Sequence, residues 1–199
     1  MKAHNYPEVY KGLGLNLSTL GCVMLDLEPI PEMTWIIQDH KDGSQVNYNR
    51  YMEDYYFVSK DPTHFWIDGH VASKTPHVTL LYGLLQTAKN YEWHIKQVLG
   101  SWDLGSVEID HVGYFDSPYG DEEYYCIVGH LKVTDKLQEG HDRLCMLPHI
   151  KTFPGYKAHV TIAYIKKDEL IRDEYIKHLN GHLVGKKLKV TGLNFGGDK

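Results

Sequence analysis

Apolar and polar residues alternate with a period of two in several stretches of the chain, which is typical of strands that bury one face. The alternation predicts six strands, at 20–27, 77–82, 107–115, 124–133, 156–165 and 188–195. In the third of them it groups Val107, Ile109 and His111 against Glu108, Asp110 and Val112. The turn at 116–123, with Pro118 and Gly120, predicts that the third and fourth strands pair as a hairpin.

Three stretches instead follow the period of an amphipathic helix. The first is 88–99, stopped by Gly100, and the second runs from a cap at Thr134 or Asp135 to about 150. Gly140 weakens the middle of that second helix, because glycine is a poor helix former. The third helix, 168–179, is expected to end at the pair Asn180-Gly181.

The predicted elements repeat in the order strand, connection, strand, helix, strand. Residues 20–115 make one copy and residues 123–195 the other, and the first connection is a long aromatic insertion at 29–70. The repeat predicts an α+β fold that is a single bilobal domain over 1–199, with two pseudo-symmetric lobes facing a central cleft.

One hexapeptide occurs at the same place in each copy. His77-Val78-Thr79-Leu80-Leu81-Tyr82 returns as His159-Val160-Thr161-Ile162-Ala163-Tyr164, with four of six positions identical. Regular alternation places each histidine and threonine on one face of its strand, and turns the tyrosines at 82 and 164 to the other, core face.

Two imidazoles facing one cleft are suited to general acid–base catalysis, since imidazole titrates nearest to neutral pH. The neighbouring hydroxyls of Thr79 and Thr161 can donate hydrogen bonds to an anionic oxygen. A plainer alternative is that both segments are ordinary buried strands, each with a histidine whose hydrogen bonds are satisfied.

The paired H-x-T strands resemble the two-histidine (2H) phosphoesterase superfamily, and Ala158 departs from the proline that many members, like this chain at Pro76, have before the motif. The resemblance implies antiparallel sheets with helices outside, and cleavage of phosphodiester bonds without a metal or other cofactor. His77 and His159 would be the acid and base, in an order that the sequence leaves open, and Thr79 and Thr161 would hold the phosphoryl oxygens.

The resemblance also suggests substrates. They are 2′,3′-cyclic phosphates at RNA ends, 2′-5′ linkages, and cyclic oligonucleotide signals, the last by analogy with phage enzymes that counter bacterial CBASS defence. The alternative is a catalytically silent module that binds nucleotides or RNA.

Composition and charge argue against several classes of binding partner. A net charge of −5 argues against duplex DNA binding, and no apolar run is long enough to span a membrane. Three widely spaced cysteines without a C-x-x-C motif are typical of reduced thiols in a cytoplasm. No H-E-x-x-H motif occurs, and the expected stop at 180–181 would separate His178 from His182, so no metal site is predicted. The oligomeric state is not indicated.

Three further residues are candidates for binding substrate. Lys157 lies two residues before His159 and would contact a phosphate oxygen, unless it is simply a solvated lysine. Trp66 and then Trp35, both in the aromatic insertion, would stack a nucleobase, unless these rings only pack the insertion onto the domain.

Overall fold

The computed structural model describes residues 20–30, 76–116, 124–151, 153, 155–167 and 169–196, with the backbone alone at 124, 163–166 and 171. These parts contain six strands and three α-helices. The elements are β1 (Gly21–Leu27), β2 (His77–Leu84), α1 (Glu92–Leu99, after a 3-10 turn at Ala88–Tyr91), β3 (Ser106–Asp116), β4 (Tyr124–Leu131), α2 (Asp135–Leu144), β5 (His159–Lys166), α3 (Glu169–Leu183) and β6 (Lys187–Gly196). The predicted order of elements is confirmed.

All strand pairs are antiparallel, and the six strands close in the order β1-β2-β5-β4-β3-β6. Two three-stranded sheets account for most of the pairing. One is β2-β1-β6 and the other is β5-β4-β3, and they meet along two short seams. The β3–β6 seam has three residue pairs and the β2–β5 seam has one, Val78 with Val160.

Each sheet takes its outer strand from the opposite half of the chain. β6 lies beside β1, and β3 lies beside β4. The division into lobes at 20–115 and 123–195 therefore follows the repeat along the sequence and stays a prediction, whereas both sheets combine strands from the two halves.

The hydrophobic core joins one face of the strands to the buried faces of the helices. Val23, Val78, Val160 and Ile127 are fully buried, and they belong to the same cluster as helix residues including Ile95, Leu137, Leu144, Tyr175, Leu179 and Leu183. The opposite face of the strands is only partly buried, and this is the face that carries the repeated motif.

Helix α2 is shorter than predicted. Its N-cap is Thr134, whose hydroxyl accepts a hydrogen bond from the backbone N–H of Leu137 at 3.2 Å. It ends at Leu144 instead of continuing to about 150, because Pro148 has no N–H to donate to the Leu144 carbonyl.

Helix α3 is longer than predicted, and the expected stop at Asn180-Gly181 is wrong. The Asn180 side chain donates to the carbonyls of Ile176 and Val112 and accepts from the Val112 N–H, so it ties the helix to β3. The helix ends at Leu183, and Gly185 follows with a φ of 78°. As a result, His178 and His182 do share a helix face, with ring centroids 4.5 Å apart.

Candidate active site

The two H-x-T motifs lie side by side across the β2–β5 seam. Val78 and Val160 are paired and fully buried, so the residues on either side of each valine point to the partly exposed face. Because the strands are antiparallel, His77 and Thr161 flank this pair at one end, and Thr79 and His159 flank it at the other. Both histidines and both threonines therefore share one face around a local two-fold arrangement.

A β-bulge changes the facing of the residues after the first motif. Thr79 pairs with Met24 and Leu81 with Val23, so Leu80 is an extra residue in β2. The shift places Tyr82 opposite Cys22, on the same face as His77 and Thr79, which corrects the prediction that Tyr82 faces the core. β5 has the matching irregularity at the second motif. The prediction for Tyr164 concerns a side chain outside the described part.

Two side chains stabilise this β2 bulge by hydrogen bonds to its backbone carbonyls. The Nδ1–H of His141, on α2, donates to the Leu80 carbonyl at 2.6 Å, and the hydroxyl of Tyr156 donates to the Thr79 carbonyl at 3.1 Å. The rings of His141 and Tyr156 stack with centroids 4.2 Å apart. An extra residue leaves backbone groups unpaired in the ladder, and these hydrogen bonds supply partners for them.

A second bulge, in β3, brings another histidine to the motif face. The register shifts between Ile109 and His111, so Val112 is buried beside Ile109 and His111 is exposed. The predicted grouping of His111 with Val107 and Ile109 is therefore wrong. His111 now pairs with His130, and His130 pairs with His159 on the next strand.

The imidazole of His159 is held in one orientation. Its Nδ1 lies 2.8 Å from the Lys157 carbonyl, which can only accept, so Nδ1 carries the proton and Nε2 carries the lone pair of the neutral ring. Phe115 packs edge-on against the ring, with centroids 5.0 Å apart. Burial lowers the pKa of His159, against a smaller opposing effect of the hydrogen bond to Lys157.

His130 is a neutral ring at physiological pH. Burial, with the nearby charges of His111, His159 and Lys157, lowers its pKa to about 4. It stacks on His111 with centroids 4.5 Å apart.

Of the three residues predicted to bind substrate, the structure describes only Lys157. Lys157 is exposed and precedes β5, and its side chain adds positive charge near His130. Trp35 and Trp66 lie outside the described residues. Within the part of the chain that the structure describes, no group of three or more His, Cys, Asp or Glu side chains could hold a metal ion, and no helix is long and apolar enough to cross a membrane.

A shallow depression of about 480 Å³ on the outer side of α2 contains none of the motif residues. It is lined by Asp135, Gln138, Glu139, Asp142, Arg143 and Met146. Three carboxylates against one guanidinium make it unsuited to an anionic phosphodiester. The motif face is therefore the better candidate site.

A family model for the 2′-5′ RNA ligase superfamily matches residues 59–196. The chain belongs to this superfamily of 2H phosphoesterases. Structural comparison finds Usb1 of Kluyveromyces marxianus with a TM-score of 0.52 at 15% identity, covering 90% of this chain and 99% of that one. A second Usb1 structure, with uridine monophosphate, gives 0.49 at 13% identity, covering 90% and 98%. The family model and the first Usb1 match together confirm the predicted 2H fold. Comparison with curated proteins finds no match.

The sequence alone did not assign His111, His130 and Phe115 to the motif face of this 2H protein. His130 and Phe115 stand in the predicted hairpin, and counting outward along its two strands would have placed His130 opposite β3, but its position beside the second motif needs the pairing of β4 with β5. The bulge at Asp110 has no such local signal, because its effect on His111 is visible only in the pairing with β4.

Proposed function

We propose that the chain is a metal-independent phosphodiesterase that cleaves RNA-like phosphodiester bonds. The observation that carries the proposal is the shared face of the two H-x-T motifs across the Val78–Val160 pair. Membership of the 2H family supports it. The substrate is a 2′,3′-cyclic phosphate, a 2′-5′ linkage or a cyclic oligonucleotide signal, as in phage anti-CBASS enzymes.

His159 acts as the general base in this proposal. Its Nε2 takes the proton from the attacking 2′-hydroxyl or water, because the neutral ring is held with its proton on Nδ1. The attacking oxygen bonds to phosphorus as the bond to the leaving oxygen breaks. His77, which stands opposite Asp26 in the register of β1 and β2, gives its proton to that leaving oxygen. Thr79 and Thr161 donate hydrogen bonds to the phosphoryl oxygens.

The test is a substrate panel incubated with the purified protein in excess EDTA, with products identified by mass spectrometry. The panel contains RNA ending in a 2′,3′-cyclic phosphate, 2′-5′-linked oligoadenylate, and cyclic di- and trinucleotides. We expect turnover of at least one class in the presence of the chelator. The His77→Ala/His159→Ala double variant is the control for contaminating nucleases.

Two outcomes would overturn the proposal. Binding of nucleotides without turnover of any panel member would indicate a silent binding module. Turnover that stops in EDTA and returns with added divalent metal would indicate metal-dependent chemistry.

A further inference from the structure

Three rings on the second sheet form a continuous surface that leads away from His159. We call His111, His130 and Phe115 the ring cluster. His130 stacks on His111 at 4.5 Å with 23° between the ring planes, and Phe115 meets His130 edge-on at 5.4 Å and His159 edge-on at 5.0 Å. The cluster therefore touches the proposed general base directly.

Gly113 leaves the space that lets these rings meet. It lies between His111 and Phe115 on the same face of β3, and a Cβ there would stand 3.1 Å from the His130 Cδ2 and Nε2 atoms. The His130 ring thus fills the position where a side chain at 113 would project.

The outer ring of the cluster is open to solvent. The side chain of His111 is 56% exposed, although one face of its ring is stacked on His130. Its Nδ1–H donates to the Asp110 carboxylate at 2.8 Å, which fixes the rotation of the ring. An aromatic ring that is held in place and open on one side is a stacking platform rather than a core residue.

The distance from His111 to His159 matches the reach of one nucleotide from its phosphate to its base. His111 and His159 are separated by two strand spacings, which is about 10 Å. A phosphate held between the catalytic histidines can place a base of the adjoining nucleotide over β3 within that reach.

We propose that the ring cluster is a nucleobase subsite, in which a base of the substrate stacks on the open face of His111. This rests on the proposed function for the position of the phosphate. Stacking uses the π-face that every base has, so the subsite accepts purines and pyrimidines alike. It lies within the described residues and is separate from the stacking role expected of Trp35 and Trp66.

Equilibrium binding tests the subsite without turnover. The probes are adenosine 5′-monophosphate, ribose 5-phosphate, which lacks the base, and inorganic phosphate. Because base stacking is worth roughly 1–3 kcal/mol per base, we expect His111→Ala to weaken adenosine monophosphate binding by about 5- to 150-fold. Affinity for the two base-free probes should stay within about two-fold. His111→Phe, which keeps a stacking ring, should restore most of the lost affinity.

Trp93→Ala is the matched control, since Trp93 is another exposed aromatic side chain next to a histidine, on α1, with 66% of its surface exposed. It should leave all three affinities unchanged. Wild-type affinity of His111→Ala for adenosine monophosphate would overturn the subsite. Equal weakening of all three probes would also overturn it, because His111 would then be a phosphate ligand. A protein that binds as expected and cleaves nothing in the substrate panel would refute the phosphodiesterase and leave the subsite standing.

Discussion

At the scale of single residues, the surroundings of His159 support the role of general base that we propose for it. A backbone carbonyl fixes its tautomer, the Phe115 ring restricts its orientation, and burial lowers its pKa and so favours the neutral form. A neutral imidazole with a fixed lone pair is prepared to accept a proton. In the proposed mechanism, His77 supplies the proton that the leaving group needs.

Replacing either histidine should remove most of the activity. General acids and bases each contribute about 10²- to 10⁴-fold to rate, so we expect His77→Ala and His159→Ala to lower kcat by at least about 100-fold. Thr79→Val and Thr161→Val should have smaller effects. Circular dichroism melts and nucleotide binding check that the variants are folded, and His→Gln variants serve where alanine destabilises. A variant with a rate near that of the wild type would refute the shared acid–base pair.

The dependence of kcat/KM on pH should be bell-shaped, because one imidazole must be neutral and the other protonated. Since burial lowers the pKa of His159, activity should fall on the acid side only below the ordinary histidine value of about 6.5. Phe115→Ala should expose the His159 imidazole and so raise its pKa, which would move the acid limb of the profile to higher pH. A rate that climbs steadily from about pH 5 to about pH 9 would instead indicate a single base or a metal-bound hydroxide.

At the scale of secondary-structure elements, the bulges in β2 and β3, together with helix α2, set the geometry of the site. The extra residue in β2 turns Tyr82 to the motif face, and the one in β3 does the same for His111. Side chains from α2 and from the segment before β5 bind the β2 bulge. The geometry of the motif face therefore depends on residues outside the motif.

Removing the Tyr156 hydroxyl tests that support. Tyr156→Phe keeps the ring that stacks on His141 and loses the hydrogen bond to the Thr79 carbonyl. We expect the free energy of unfolding in urea to fall by about 0.5–1.5 kcal/mol, and kcat to fall more than nucleotide affinity. Tyr114→Phe, on the opposite face of β3, is the control and should leave kcat unchanged. A Tyr156→Phe variant with unaltered stability and kcat would show that the bulge does not need this support.

The packing of Trp102, which follows α1, against α2 makes Gly140 necessary. A Cβ at 140 would overlap the Trp102 indole, with Cε2 at 2.7 Å, and the indole Nε1–H is fixed by a hydrogen bond to the Lys136 carbonyl. Overpacking costs about 1–3 kcal/mol, so Gly140→Ala should destabilise the protein although alanine favours helix by about 1 kcal/mol.

Gly181→Ala is the matched control on α3, because a Cβ at 181 would have no atom within 4 Å and the substitution should be neutral or stabilising. In a Trp102→Ala background, Gly140→Ala should become stabilising as well. Thermal and urea unfolding compare the wild type with the three single variants and the Trp102→Ala/Gly140→Ala double variant. A stabilised Gly140→Ala single variant would show that the indole can move aside.

At the scale of the whole molecule, partly buried histidines link folding to pH. The pKa of His130 is about 4 in the folded protein and about 6.5 in the unfolded chain, so the unfolded chain binds one more proton between these values. Stability should therefore be highest above about pH 6.5 and decrease as the pH falls towards 4. The lowered pKa values of His159 and His178 act in the same direction.

Urea unfolding at about pH 7, 6, 5 and 4.5 measures this dependence. His130→Gln, which cannot titrate, should lose less stability than the wild type over the same range. Identical slopes for the two proteins would show that His130 is not buried as a neutral ring. His94→Gln is the control, since His94 is exposed on α1.

The sequence by itself determined the order of elements, the α+β class and the paired motifs. Those features depend on local patterns: a period of two along each strand, apolar stripes on each helix, and a hexapeptide that occurs twice. The sequence could place the four motif residues on one face because they precede the bulges, where the alternation is still regular. They are His77, Thr79, His159 and Thr161. Lys157, Trp66 and Trp35 stay predictions as substrate contacts.

Apart from the predicted β3–β4 hairpin, which is confirmed, only the tertiary structure decided which strands pair and where the alternation shifts. A bulge is defined by the partner strand, since two residues oppose one only after pairing, so nothing local at Leu80 or Asp110 marked it. Each shift reverses the facing of the residues that follow, which brought Tyr82 and His111 to the site. The same holds for Asn180, whose amide bonds the backbone of β3 and lets α3 continue through a pair of residues that would end an isolated helix.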